Sequence, residues 1–519
     1  MKSPVRRSLR VYPAPVPVGQ GYRSDVAVRL LLVAVISLVA LDVVVHGAAA
    51  TVDGVSYLSM AEGLRQSEFT HWSGAASGLW PYGYPAALAT LGANARAMVD
   101  LGFVLQLGAL AGVATYVVLI ARRLDAYRPS GAYLVGAAAV LASPVVVDST
   151  PLLESEMLFT FLVLAFFYHV VVGCLLTQEP PRRSDLAMGV AAAFLLPNIR
   201  FIGVAAPLGL AVGAVVLLVL RDQGARVLGR RAVAPIVGGV AGTVSAMLVN
   251  LVTAGTATGG LVPQVDVLRK TVMFSAATFW QLLVARWHFP LFRYEVVAGA
   301  VLALVLTLLA LRLARAAWHA DDAAYRRFTV WAWSGIGVYA AILYWRAVTT
   351  LVDPISPRFL LPVLPVAVLW LVYTYVVAAG TGRPSGVLRA GRLGGKIVMV
   401  AWLAGLVLVV TTDLVRADRE GDLGAIQLGG QDHDCLARIA DAPAAARISN
   451  NAALIWLATD GQLTAKQASY ETGSPNEFYF IDTLGHAVGD VPEEILAGTA
   501  GSVLCSGDYL VVEHRTRPN

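Results

Sequence analysis

Charge is what this sequence has least of. Asp, Glu, Lys and Arg make up 14% of its 519 residues, against 57% hydrophobic residues. A soluble domain carries about 25% charge, so a wholly soluble chain is excluded. Lysine is nearly absent, with only Lys2, Lys270, Lys396 and Lys466, and arginine takes its place. With the abundance of Ala, Val and Gly, that is the coding bias of a GC-rich bacterial genome and carries no chemistry. The three cysteines, Cys174, Cys435 and Cys505, have no metal-site spacing. No internal repeat is visible, which removes the main support for an inverted-repeat transporter. The net charge of +5 does not point to nucleic acid, because the basic residues sit at the ends of apolar runs.

Those runs are what the chain has most of. A bilayer core ~30 Å thick needs ~20 apolar helical residues. Runs of that kind cover 26–46, 97–121, 131–147, 152–176, 186–201, 202–220, 232–254, 296–311, 328–345, 359–379 and 397–414. Only closed backbone hydrogen bonding survives in lipid, and runs of ~20 residues provide it as helices, so the expected fold class is an α-helical polytopic membrane protein of about eleven transmembrane helices. Arginines mark alternate loops: Arg122, Arg123 and Arg128; Arg182 and Arg183; Arg221, Arg226, Arg230 and Arg231; Arg312, Arg315, Arg326 and Arg327; then Arg383, Arg389 and Arg392. The positive-inside rule places these in the cytoplasm, with the basic N-terminal tail of 1–25. The first run, at ~20 residues, exceeds the 7–15 of a signal peptide, so Ala48-Ala49-Ala50 is not read as a cleavage site. The membrane domain is expected over 26–414, with long outer loops at 47–96 and 255–295. Residues 415–519 read as a small extracytoplasmic α/β domain. Its strands are expected at 447–449, 454–457, 478–481 and 509–512 and its helices at 436–440 and 492–496. An oxidising compartment would allow Cys435 and Cys505 to pair there.

The outer loops hold the residues suited to chemistry. In the first, Asp53, Tyr57, Ala61 and Leu64 fall on one helical face, as in a short amphipathic helix at the membrane surface. Asp53 reads either as its N-cap or as a carboxylate at the mouth of a membrane cavity. His71 follows, then Trp80-Pro81-Tyr82-Gly83-Tyr84-Pro85, whose aromatics suit the interface and whose prolines predict a rigid, non-helical turn. The next outer loop crowds Asp148, Glu154 and Glu156 without a compensating cation. The helix dipole accounts for Glu154. Glu156 lies deeper, where carboxylates are costly and functional, and hard oxygen ligands would suit Mg²⁺ or Mn²⁺. Arg358, in Ser356-Pro357-Arg358-Phe359, is either a snorkelling anchor or a guanidinium fork for phosphate. Arg200, just after Pro197, is a second such candidate.

These motifs, in this order, resemble the GT-C superfamily of membrane glycosyltransferases. The branch they look most like holds the protein O-mannosyltransferases and lipid A aminoarabinose transferases. The resemblance rests on Asp53 with Tyr57 and the Trp80-to-Pro85 segment, on Ser155-Glu156-Met157-Leu158-Phe159, on Arg200, and on Arg358 through Pro365, with Ile448-Ser449-Asn450-Asn451 in the tail. It implies the GT-C fold and a polyprenyl-phosphate sugar donor. It also implies inverting transfer, on the outer face of the plasma membrane, to a hydroxyl of a glycan, lipid or protein. Mannose and arabinofuranose are both compatible. Carried over, Asp53 would be the general base, and Arg358 and Arg200 would bind the donor phosphate. Tyr57, His71, Trp80, Tyr82 and Tyr84 would shape the substrate pocket. Asp148, Glu154 and Glu156 would supply an acidic partner or a divalent-cation site. The resemblance departs at Gly54, where many members carry a second carboxylate. A flippase for a lipid-linked glycan and a membrane scaffold or sensor are the competing readings.

Overall fold

The computed structural model describes residues 21–46, 52–67, 80–92, 95–176, 180–222, 224–258, 267–284, 292–320, 322–349, 355–381 and 386–420. It also describes five strands of the tail at 447–449, 466–467, 477–482, 502–506 and 509–514. His71, Cys435, the strand expected at 454–457 and both helices expected in the tail lie outside the described residues. Cys505 is described in its backbone alone.

In chain order the helices are α1 (Gly21–His46), α2 (Val52–Arg65), α3 (Gly83–Leu91), α4 (Ala95–Tyr127), α5 (Ala132–Leu141), α6 (Pro144–Ser149) and α7 (Glu156–Phe166). The last continues as a π-helix over Phe167–Leu175. Then come α8 (Arg183–Ile199), a 3₁₀ turn (Phe201–Val204), α9 (Ala205–Val219), α10 (Ala225–Ala254), α11 (Val267–Val284), α12 (Phe292–Trp318) and α13 (Ala323–Thr349). The short α14 (Pro357–Leu360), α15 (Leu364–Ala379) and α16 (Gly386–Glu420) close the helical part. Among the described residues six helices are long and apolar enough to cross a bilayer, and four shorter apolar helices accompany them. The chain is thus a multi-pass membrane protein. The exposed apolar face of α12, with Val297, Val301, Leu304 and Leu308, is what lipid contact requires.

Each apolar run of the sequence falls on helix, with local differences. The run at 131–147 is two helices, because the chain breaks at Ser143, ahead of Pro144 in the first turn of α6. The segment read as a non-helical turn around Pro85 is instead the start of α3. Proline fits a first turn because its missing N–H is one the helix leaves unbonded there. Within 255–295 stands α11, packed on α12 and α13. The final helix runs past residue 415 to Glu420.

Small residues bring the helices together. A Cβ at Gly242 of α10 would come within 2.1 Å of the Phe194 carbonyl oxygen on α8. Close backbone approach of this kind is how membrane helices gain packing without a hydrophobic drive. In the tail the five strands, β1 to β5 in the order given, form one sheet in the order β2-β1-β3-β5-β4. β1 runs parallel to β2 and β3, and β5 antiparallel to β3 and β4.

Candidate active site

Four chain segments meet at one end of the bundle. Asp53 lies in the first turn of α2, whose N-terminal dipole favours a carboxylate. Glu154, Ser155 and Glu156 form the entrance to α7. Arg200 follows α8, whose last turn contains Pro197, and its backbone N–H still donates to the Leu196 carbonyl. Arg200 itself is extended, at φ −146° and ψ 133°, and this turns its side chain out of the α8 path. Arg358 sits on α14, behind Pro357.

The side chains form three ion pairs, two of which share Arg358. Arg358 Nη1 donates to Glu154 Oε1 at 2.5 Å, and its Nη2 lies 3.5 Å from Asp53 Oδ2. Arg200 pairs with Glu156 and donates from Nη1 to Ser155 Oγ at 3.1 Å. The Phe359 ring lies under both cations, 5.8 Å from Arg200 Cζ and 5.1 Å from Arg358 Cζ. Both acids are deep: the Glu154 side chain is 2% exposed and that of Glu156 4%, against 22% for Arg358 and 21% for Arg200.

A second layer holds the aromatics. Tyr57 shares a 3.0 Å hydrogen bond with Ser155 Oγ, and its ring meets Tyr84 and Trp80 edge-on at 5.0 and 6.0 Å. Burial pushes the Tyr57 phenol well above its ordinary pKa, and nearby Arg200 offsets that only in part. Tyr57 therefore remains a neutral hydroxyl. Burial also raises Tyr84, against the bond from Gln106. Gln106 Nε2 reaches both the Tyr84 hydroxyl (2.9 Å) and the Glu154 carbonyl (2.5 Å). Gly83 permits this contact of α3 with α8, since a Cβ there would meet the Asn198 carbonyl oxygen at 2.4 Å. Asn250 of α10 donates to the Trp80 carbonyl at 3.3 Å.

Of the sequence candidates, Asp53, Tyr57, Trp80, Tyr84, Glu154, Glu156, Arg200 and Arg358 come together here. Tyr82 is buried ahead of α3, and Asp148 is half-buried on α6. Gln106 joins the site without having been singled out for it, and Ser155 and Phe359, named only as neighbours in the Glu156 and Arg358 motifs, join it too. A lone buried amide in the apolar run of α4 was the only sequence signal for Gln106. The carboxylates do not fit a divalent-cation cage. Glu154 and Glu156 are each turned to a guanidinium, and no three acidic, His or Cys side chains converge among the described residues.

An apolar slot opens beside this cluster. Phe159, Phe167, Leu196, Ile202, Trp331 and Val366 are among the residues lining it, with Tyr339. The Tyr339 hydroxyl donates to the Phe359 carbonyl at 2.7 Å and so ties the slot to the arginines.

Neither a family model nor a curated protein matches the chain. Solved structures do. The crystal structure of ArnT from Cupriavidus metallidurans in the apo state aligns over 94% of this chain and 98% of that one, at 13% identity and a TM-score of 0.53. The same protein bound to undecaprenyl phosphate aligns over 96% and 98%, at 12% identity and a TM-score of 0.51. The arabinosyltransferase EmbB from Mycobacterium smegmatis aligns over 80% of this chain and 43% of its own, with a TM-score of 0.36.

Proposed function

We propose, from the premise that this chain has the GT-C fold, that it is an integral membrane glycosyltransferase using a polyprenyl-phosphate sugar. The single observation that carries the reading is the meeting of Asp53 with Arg358, 3.5 Å apart and beside the Arg200–Glu156 pair. A base next to two phosphate-capable cations is what transfer from a lipid phosphate needs. The apolar slot tied to Phe359 suits an isoprenoid tail. That the ArnT structure was solved with undecaprenyl phosphate agrees with this donor class.

In the proposed reaction the acceptor hydroxyl gives its proton to an Asp53 oxygen as its own oxygen attacks the anomeric carbon. The bond from that carbon to the phosphate oxygen breaks, and its electron pair stays on the phosphate. Attack opposite the leaving group inverts the anomeric centre. Arg358 and Arg200 stabilise the charge that builds on the phosphate, and the Phe359 face holds both guanidinium planes. Trp80, Tyr82 and Tyr84 shape the sugar pocket. The acceptor is a hydroxyl on a glycan, lipid or protein. Transfer takes place on the outer face of the plasma membrane, with the N-terminus in the cytoplasm and the α/β tail domain outside.

The test is transfer by purified protein in detergent, from a panel of polyprenyl-phosphate sugars. Detergent abolishes transport but not transfer, so activity there separates this reading from a flippase. Asp53→Asn should lower the rate by ~10²–10⁴-fold, the usual contribution of a general base, while the protein still folds and expresses. Full activity in that variant would remove Asp53 as the base.

A further inference from the structure

We propose that Glu154 and Glu156 are counter-ligands of the phosphate: they hold the two arginines when the site is empty and take them back to drive off the polyprenyl phosphate product. The inference rests on the glycosyltransferase reading above and adds to it a reason for two buried acids that transfer itself does not use.

The geometry comes first. Each arginine stands between a buried acid and the open part of the site. Glu154 and Glu156 are nearly sealed, while about a fifth of each guanidinium side chain is exposed. A phosphate can reach the outward N–H groups of Arg358 and Arg200, but neither glutamate can follow it out. Arg358 is also shared, since its second nitrogen lies 3.5 Å from Asp53 on the other branch. Every anion that enters must therefore compete with carboxylates already in place.

The charge count shows the consequence. Over Asp53, Glu154, Glu156, Arg200 and Arg358 the empty site carries three negative and two positive charges. The donor is a phosphodiester and adds one negative charge. During transfer a proton moves from the acceptor to Asp53 and an electron pair moves to the phosphate, so the total does not change. The product is a phosphomonoester, close to a dianion at neutral pH because its second pKa is ≈ 6. Once Asp53 loses its new proton, the site holds one negative charge more than it did with donor bound. Arginine–phosphate bonds are strong and grow with phosphate charge. Two arginines alone would thus grip the product more tightly than the donor and stall turnover. The buried glutamates oppose that grip at the stage where it is strongest. Loss of the Asp53 proton and departure of the product are then linked.

The test measures binding of undecaprenyl phosphate to the purified full-length protein in detergent at pH 8, for the wild type, Glu154→Gln and Glu156→Gln. Removing one like charge a few ångströms from the phosphate lifts part of the repulsion it feels, so each variant should bind about tenfold tighter. Steady-state transfer should show a matching rise in inhibition by undecaprenyl phosphate. A purely structural role predicts the opposite, because losing a buried partner of an arginine disorders the site and weakens binding. Unchanged or weaker binding in a folded variant overturns the proposal. If Glu154→Gln does not fold, Glu156→Gln decides alone, and if both fail, Glu154→Asp, which sets the carboxylate back from Arg358, should tighten binding by a smaller factor. A wild type that does not bind undecaprenyl phosphate overturns the glycosyltransferase reading itself. A wild type that binds, with variants that do not tighten, overturns only the counter-ligand role.

Discussion

Ser155 joins the two halves of the site. It stands at the N-cap of α7, yet makes no side-chain cap bond to that helix. A serine cap is worth ≈ 0.5–2 kcal/mol, and here the hydroxyl is turned to Tyr57 and Arg200. That link ties α2, which bears Asp53, to the arginine after α8. Tyr57→Phe removes the hydroxyl but keeps the ring between Trp80 and Tyr84. It should cost about 0.5–1.5 kcal/mol of stability, the usual net worth of one hydrogen bond. It should also raise the KM for donor more than it lowers kcat, since it loosens Arg200 and leaves Asp53 in place. Thermal unfolding and steady-state kinetics measure the two effects, and an unchanged KM would count against the link. Much of this was legible from residue type. Asp53, Glu156 and Arg358 are expensive groups beside apolar runs, and expense of that kind points to use. Ser155 was not, because a serine before a helix reads as a cap whichever way its hydroxyl turns. Nor could the pairing of Glu154 with Arg358 be read from spacing, since 204 residues separate them.

Among elements, the period and length of apolar runs predicted helices well, and their failures have local causes. The break at Ser143 lies in a run without a charged residue, so hydropathy passes over it. α11 was missed because Arg269, Lys270 and Gln281 dilute its apolar character. It matters nonetheless, since Thr278 Oγ1 donates to the Ile355 carbonyl at 2.8 Å, just ahead of Arg358. At the opposite end of the bundle, the loop between α9 and α10 is held to α13 by Asp222. Its Oδ1 accepts from Arg327 Nη2 at 2.8 Å and from the Gly224 amide at 2.8 Å. Burial alone would raise the Asp222 carboxyl, but the bonds from Arg327 and Gly224 hold it below the ordinary carboxylate range. A carboxyl whose pKa is lowered by folding stabilises the fold fully above its unfolded value, ≈ 3.9. That stability is lost as pH falls through the lower, folded value. Asp222→Asn should therefore cost about 1–3 kcal/mol at pH 7, and the difference from wild type should shrink below about pH 4. Melting temperatures in detergent between pH 3 and 7 would show it. A difference that stays constant across that range would rule out the titration.

At the scale of the whole molecule, the site constrains how the chain threads the membrane. Segments at 53, 154–156, 200 and 358 touch one another, so an even number of crossings must separate each pair. On the proposed eleven-span reading these are α4 and the α5–α6 pair between Asp53 and Glu154, and α7 with its π-helix and α8 between Glu156 and Arg200. On that reading the crossings between Arg200 and Arg358 are α9, α10, α12 and α13, an even number, and α11 is not a complete crossing. With α1, α15 and α16 the reading proposed above has eleven crossings, and it expects the tail on the side of the site. The positive-inside reading of the arginines independently expects the other side in the cytoplasm. Thiol labelling tests both at once in a variant with Cys435 and Cys505 changed to serine; Cys174 is buried and can stay. Gln66→Cys, on an exposed turn after α2, should react with a membrane-impermeant maleimide in intact cells. His319→Cys, exposed between α12 and α13, should react only after permeabilisation. Labelling of both in intact cells would break the alternation downstream of the site. Arg358 and Asp53 would then face opposite sides of the membrane, and no single outer site could hold them both.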